Sequence, residues 1–164
     1  MHHDILTITA ASALLASLGV GGASADETVK FRAILHGTSV QSQDVGDVDG
    51  HTITLVRFSG ITELPDGTTG TSYFIGVADY TKGSGPAFSY NNATFDDGSV
   101  LWLKQTQTTK LEGTKSLFQG TVSVLGGKGK FEGAKGDGTV TGARAVPLAS
   151  GADLYFDYVI NIKK

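Results

Sequence analysis

The sequence predicts an all-β fold, and within that class an eight-stranded antiparallel up-and-down β-barrel. From residue 28 onward no window shows sustained 3.6-residue periodicity, whereas apolar and polar residues alternate repeatedly between glycine-bearing turns. The 164 residues include 23 glycines and 3 prolines, which is typical of many turns between short strands. Short connections favour antiparallel neighbours, and eight such strands commonly close into a barrel. A two-sheet β-sandwich is the alternative, because strand count alone does not separate the two architectures.

Eight segments of the chain carry the strand pattern. In the first, residues 28–36, alternation places four apolar side chains on one face: Val29, Phe31, Ala33 and Leu35. The other predicted strands are, in chain order, 51–63, 69–80, 86–95, 100–109, 116–125, 138–146 and 153–162. Turn residues separate them, such as Pro65-Asp66-Gly67 after the second strand and Asp97-Gly98 between the fourth and fifth. The longest irregular stretch, residues 37–50, is predicted to form a mobile flap at one mouth of the barrel.

The front of the chain predicts a secretory signal peptide over residues 1–25. Residues 5–25 carry no charge and are rich in Ala, Ser and Gly, and Ala23-Ser24-Ala25 has the small-x-small form of a cleavage site. The run is only weakly apolar, so no membrane span is predicted. An ordered helical arm is the alternative. A single folded domain is expected over residues 26–164, in a secreted or periplasmic protein.

Composition and spacing exclude several classes of function. Sixteen acidic against thirteen basic residues give a net charge of −3, which lacks the basic footprint of a nucleic-acid binder. The sequence contains no cysteine, which excludes thiol catalysis and cysteine-ligated metals. Asp44, Asp47 and Asp49 lack the spacing of an EF-hand loop, and His36 and His51 lack a metal-binding spacing. Neither a metal nor a cofactor is expected.

Polar residues inside apolar strands are the first candidates for a site. Arg57 lies between Val56 and Phe58, and Asp79 follows an apolar run. In a closed barrel such a group faces either solvent or the lumen, and in the lumen it needs a partner. For Asp79 both alternatives stay open. A lumen-facing carboxylate would have a raised pKa and could act as general acid or base, whereas an outward one would be solvated or salt-bridged.

The glycine-rich segment GGKGKFEGAKG at residues 126–136 resembles the Gly-Gly-Thr-Gly-x-Phe-x-x-Ala-Arg-Gly segment of dirigent proteins and allene oxide cyclases. The segments DGTTG at 66–70, FDDGS at 95–99 and GADLYFDY at 151–158 are similar to other parts of these barrels, so the resemblance covers about residues 28–162. It implies an eight-stranded barrel with an apolar lumen, usually a trimer. Members cyclise oxylipins, steer phenoxy-radical coupling or close rings. The resemblance also points to Lys135, which stands where some dirigent proteins have an arginine, whereas Lys130 replaces their aspartate.

Two functions follow from these observations. The first is a barrel whose lumen binds a small apolar organic molecule and guides its cyclisation or isomerisation by holding one reactive conformer in a dry cavity. An enzyme of this kind would be a cofactor-free isomerase or cyclase of the dirigent or allene oxide cyclase type. The alternative is a non-catalytic carrier or structural protein with a lumen filled by its own side chains. The expected catalytic residues are Asp79 and Lys135, and the expected ligand-binding residues are Arg57, Glu63, Tyr73, Tyr90 and Trp102.

Overall fold

The computed structural model of the chain describes residues 26–163, and the predicted signal peptide over residues 1–25 lies outside the described residues. Eight β-strands account for most of the described chain. They are β1 (Glu27–Asp44), β2 (His51–Glu63), β3 (Thr69–Thr81), β4 (Gly85–Phe95), β5 (Val100–Glu112), β6 (Lys115–Lys128), β7 (Lys135–Arg144) and β8 (Asp153–Lys163). A single 3₁₀ turn over Gly129–Phe131 is the only helical element between residues 26 and 163. None of the described helical structure is long and apolar enough to cross a membrane.

The strands form one closed antiparallel barrel. Each strand pairs with its sequence neighbours, and β8 pairs back onto β1. At this closure Phe31 lies opposite Tyr158, and their rings stack with centroids 4.6 Å apart. The predicted barrel is therefore confirmed, and the β-sandwich alternative is wrong. Closure pairs each of the eight described strands on both sides, which removes the free edges that an open sheet would present.

The predicted flap over residues 37–50 is wrong for most of its length. β1 continues to Asp44 and pairs with β2 beyond a bulge between Gly37 and Ser39. The polar composition of residues 38–44 suggested a loop, but main-chain pairing with β2 does not require apolar side chains, and most of this stretch is exposed. The connection to β2 is reduced to residues 45–50.

Alternation along each strand builds the core inside the barrel. The inward faces supply a set of nearly fully buried side chains that includes Phe31, Phe58, Leu101, Leu103, Val122, Phe156, Ile160 and Ile162. Phe74 and Phe156 stack across the lumen with centroids 5.6 Å apart, and Phe118 lies 5.2 Å from Phe156. Aromatic and aliphatic side chains therefore fill most of the lumen, as they do in small barrels.

The two ends of the barrel differ. One end, here called the capped end, gathers the loops 64–68, 96–99 and 129–134. There Phe131 is 1% exposed and packs on Phe95, with ring centroids 5.2 Å apart. Gly127 makes this packing possible, because a Cβ on it would lie 2.5 Å from the Cβ of Phe131. The glycine-rich segment thus folds a phenylalanine across this end of the lumen. The opposite end, bounded by the loops 45–50, 82–84, 113–114 and 145–152, is called the cavity end.

Candidate functional site

The residues predicted from the sequence to form the site lie on the outside of the barrel. All seven side chains belong to exposed residues: Arg57, Glu63, Tyr73, Asp79, Tyr90, Trp102 and Lys135. The hypothesis that Arg57, Glu63, Tyr73, Tyr90 and Trp102 line the lumen is therefore corrected, and of the two alternatives for Asp79 the outward one is found. The physical reason is strand parity: on β3, for example, the buried side chains are Phe74, Ala78 and Tyr80, so the odd-numbered residues face outward. A catalytic or binding role for the seven stays a prediction.

Asp79 takes the outward, paired alternative. Its carboxylate lies 2.8 Å from Nε2 of His51, and Nδ1 of the same ring lies 2.6 Å from the carboxylate of Asp47. The hydrogen bonds to Asp79 and then to Asp47 raise the pKa of His51 above its usual value. The bond from His51 holds the pKa of Asp47 below its usual value. This trio ties the 45–50 loop to β3, and no group of three or more acidic or histidine side chains suited to a metal ion occurs in residues 26–163.

The structure does bring three of the predicted ligand-binding residues together. Tyr73, Tyr90 and Trp102 stand on the neighbouring strands β3, β4 and β5, and with Ile75 and Leu125 they line a shallow groove of about 240 Å³ on the outer wall. We call this the outer groove. Arg57, Glu63 and Lys135 do not line it.

Sequence reasoning missed the polar side chains that face the lumen. Gln105 accepts hydrogen bonds from the hydroxyl of Tyr158 at 2.8 Å and from the amide of Asn91 at 3.0 Å, and its own amide donates to Gln107. Tyr80 hydrogen-bonds Thr109 at 2.6 Å. The signal was present in β5, where the alternation that buries Leu101 and Leu103 continues onto Gln105, Gln107 and Thr109.

A small cavity remains at the cavity end of the lumen. It measures about 20 Å³, and its walls are largely aromatic, with Phe58, Phe74, Phe118 and Phe156 among them. The polar side chains that reach it are Tyr80, Ser89, Gln107 and Arg144. The hydroxyl of Ser89 is buried and has no hydrogen-bond partner among the described residues. Leu148, from the 145–152 loop, forms part of the rim. We call this space the lumen cavity.

Arg144 is the charged group of the lumen cavity. It is the last residue of β7, and its side chain lies among Ser116, Phe118 and the chain that leaves the strand. Burial lowers the pKa of Arg144 from its usual value, and burial also raises the pKa of Tyr80. The signal for Arg144 was its spacing of four residues from Val140, which places both side chains on the inner face of β7.

Comparison with known proteins places the fold. No protein-family model and no curated protein sequence matches the chain. Among solved structures, the chain is similar to the pterocarpan synthase dirigent protein GePTS1, with a TM-score of 0.51 and 14% sequence identity over 84% of this chain and 85% of that one. It is also similar to the pterocarpan synthase dirigent protein PsPTS1, with a TM-score of 0.51 and 13% identity over 84% of this chain and 95% of that one. A conserved protein of unknown function from Rhodopseudomonas palustris is also similar, with a TM-score of 0.49 and 12% identity over 85% of this chain and 99% of that one. The similarity to the two dirigent structures confirms, for the fold, the resemblance seen in the glycine-rich segment: the chain has the eight-stranded barrel of the dirigent proteins.

Proposed function

We propose that the protein binds a small molecule at the cavity end of its barrel and guides that molecule into one conformation. The observation that carries this proposal is the lumen cavity, where a few polar side chains converge between aromatic walls at the uncapped end of the lumen. Small-molecule sites commonly have this composition, with apolar walls for affinity and a few polar groups for orientation. The dirigent-like fold is consistent with such a role.

The size of the lumen cavity sets a condition on binding. A volume of about 20 Å³ holds roughly one water-sized group, far less than an ordinary ligand site of about 300 Å³ or more. A ligand must therefore displace a rim side chain, and Leu148 on the 145–152 loop is the candidate, because it leaves the pocket without breaking a strand.

Any cyclisation or isomerisation at this site would depend on positioning. The described residues that line the lumen cavity include no carboxylate and no histidine. Holding a flexible molecule in a near-reactive conformer accelerates a reaction without acid or base groups. We propose that a reaction in this barrel is guided in that way, without a cofactor.

A second candidate is a non-catalytic barrel that serves as a stable carrier or surface protein. One observation favours it: the inner faces are filled by Phe, Leu, Ile and Val side chains, so little lumen volume stays free. The two candidates differ in whether any small molecule occupies the lumen cavity.

Native mass spectrometry of the protein purified from its own host separates these candidates. We expect a bound small molecule on the wild type, lost in Ala87→Phe, which adds a ring to the cavity wall. The matched control is Thr71→Phe, which adds the same ring on the exposed outer face of β3 and should retain the ligand. Ligand-free wild type that also fails to bind N-phenyl-1-naphthylamine, a neutral apolar probe, favours the packed-barrel candidate.

We further propose that the barrel self-associates, as a trimer, through the outer groove. Tyr73, Tyr90 and Trp102 are each more than a third exposed, and they adjoin the exposed Ile75. Contiguous exposed apolar side chains of this kind commonly mark an interaction surface.

We also propose that the protein is exported through the signal peptide over residues 1–25. The cleavage-site pattern at Ala23-Ser24-Ala25 supports this proposal.

A further inference from the structure

Arg144 carries a buried charge without a counter-charge. The residue is 5% exposed, and none of the seven ion pairs within residues 26–163 includes it. A buried charge is costly unless it is paired and hydrogen-bonded. The ring of Phe118, whose centroid lies 5.6 Å from the guanidinium carbon, partly compensates the charge.

The guanidinium also keeps unused hydrogen-bonding capacity. Nε donates to the carbonyl oxygen of Val146 at 2.9 Å, and Nη2 donates to Oγ of Ser116 at 2.9 Å. A guanidinium has five N–H donors, so most of them have no acceptor among the described residues. The unpartnered hydroxyl of Ser89 reaches the same cavity. The lumen cavity is therefore lined by a positively charged side chain that has no ion-pair partner among the described residues and keeps unused N–H donors.

The remaining lining defines which anion fits. Arg144 is the only described residue of the lining that is charged at neutral pH, since burial keeps Tyr80 in its neutral form. One positive charge balances a monoanion, whereas a phosphate dianion would leave a net negative charge between apolar walls. A planar carboxylate also matches the planar fork of a guanidinium. The phenylalanine rings beside it would receive an apolar group.

We infer that the lumen cavity binds a monocarboxylate, whose carboxylate accepts hydrogen bonds from Arg144 and whose apolar part packs against Phe74, Phe118 and Phe156. This inference rests on the proposed function and adds the charge and chemical class of the ligand. The free space of about 20 Å³ holds roughly one oxygen of the head group, and the rest of the molecule occupies the space that Leu148 vacates. The competing explanation is that Arg144 only fastens the start of the 145–152 loop through Val146.

The test compares acids with their neutral amides on the wild-type protein. Benzoate against benzamide, and propionate against propionamide, differ in charge and hardly in shape. Binding is followed by NMR, from the Nε–Hε signal of Arg144 and the amide signals of residues around the cavity. We expect each acid to bind at least about tenfold more tightly than its amide, because hydrogen bonds to a charged group are among the strong ones.

Variants assign the preference to one side chain. Arg144→Gln should abolish the preference for the acid, Arg144→Lys should retain part of it, and Lys104→Gln, on the exposed face of β5, should leave it unchanged. Because Arg144→Gln removes a buried side chain that anchors the 145–152 loop, it could unfold the barrel, and Ser89→Ala serves as a milder variant. We expect Ser89→Ala to bind the acid several-fold more weakly than the wild type does.

The outcomes separate the inference from the proposed function. Equal binding of acid and amide overturns the carboxylate inference and leaves small-molecule binding intact. If Arg144→Gln still prefers the acid, the carboxylate inference is also overturned, because another group would then bind the negative charge. If neither acid nor amide perturbs the cavity signals, the inference fails, and the proposed function is decided separately by the native mass spectrometry and the neutral probe.

Discussion

Nε2 of His51 lies 2.8 Å from a carboxylate oxygen of Asp79, across the β2–β3 pair at the cavity end of the barrel. Because Nδ1 of the same ring contacts Asp47, the imidazole connects the 45–50 loop to the barrel wall. With hydrogen bonds to an acid on both nitrogens, the ring is favoured in its protonated form.

The first prediction concerns the pH dependence of stability. The raised pKa of His51 stabilises the fold fully below the unfolded-state pKa of 6.5, and this contribution is lost as pH rises through the folded-state pKa. The lowered pKa of Asp47 acts in the opposite sense, with its contribution lost as pH falls below about 3.8. Thermal melts between pH 5.5 and 8.5 should show falling stability in the wild type and a flatter profile in His51→Gln. His36→Gln is the control, and an equally flat wild type contradicts the prediction.

The second prediction concerns the capped end. Phe131→Ala should lower the free energy of unfolding by about 3–5 kcal/mol, because it empties a buried site between Phe95 and the lumen. Ile61→Ala, on the exposed face of β2, should change it by no more than about 0.5 kcal/mol. Urea unfolding at one protein concentration measures both. A small effect of Phe131→Ala would show that the ring does not seal this end.

The third prediction separates two glycines of the glycine-rich segment. Gly133 has φ of +72°, and a Cβ on it would meet no atom within 4 Å, so Gly133→Ala costs only the backbone strain of about 1–2 kcal/mol. Gly136 has φ of +150°, and a Cβ there would lie 2.0 Å from the carbonyl oxygen of Asn161 on β8. Gly136→Ala should therefore lower the free energy of unfolding further than Gly133→Ala does, by about 2 kcal/mol or more, because β7 must move away from β8. Chemical denaturation of the two variants side by side measures this difference. Similar denaturation midpoints for the two variants would contradict the predicted clash at Gly136.

The fourth prediction concerns self-association. Light scattering after size-exclusion chromatography should give a trimer for the wild type at micromolar concentration. Tyr90→Lys, which places a charge in the outer groove, should give a monomer with an unchanged fold. Val159→Lys adds the same charge on β8, on the other side of the barrel, and should stay trimeric. A monomeric wild type removes the trimer proposal.

Most of the fold was predictable because period-2 alternation is present in at least part of every strand. Val29, Phe31, Ala33 and Leu35 are all buried as the pattern of the first strand requires. The error lay in the second half of β1. Residues 38–44 are held in the sheet by main-chain pairing with β2, and this pairing leaves no apolar pattern in their side chains. Backbone hydrogen bonds of this kind are not readable from side-chain chemistry.

The candidate site was less predictable than the fold. Tyr73, Tyr90 and Trp102 were chosen because aromatic side chains suit a ligand pocket, but hydrophobicity alone does not tell the inner wall from an apolar outer wall. Arg144 and Gln107 were overlooked because charged and amide side chains usually face solvent. Extending the parity of the strongly apolar positions along β5 and β7 would have placed both side chains inside.

Phe131 is folded across the capped end, and the lumen cavity lies at the opposite end of the barrel. Under the proposed function, a ligand that enters the lumen cavity past Leu148 and the 145–152 loop would also leave by that route. If the proposed function holds, one ligand must therefore leave the lumen cavity before the next can enter. For such a ligand, the rate of exchange would be set by how quickly the 145–152 loop moves Leu148 away from the lumen cavity.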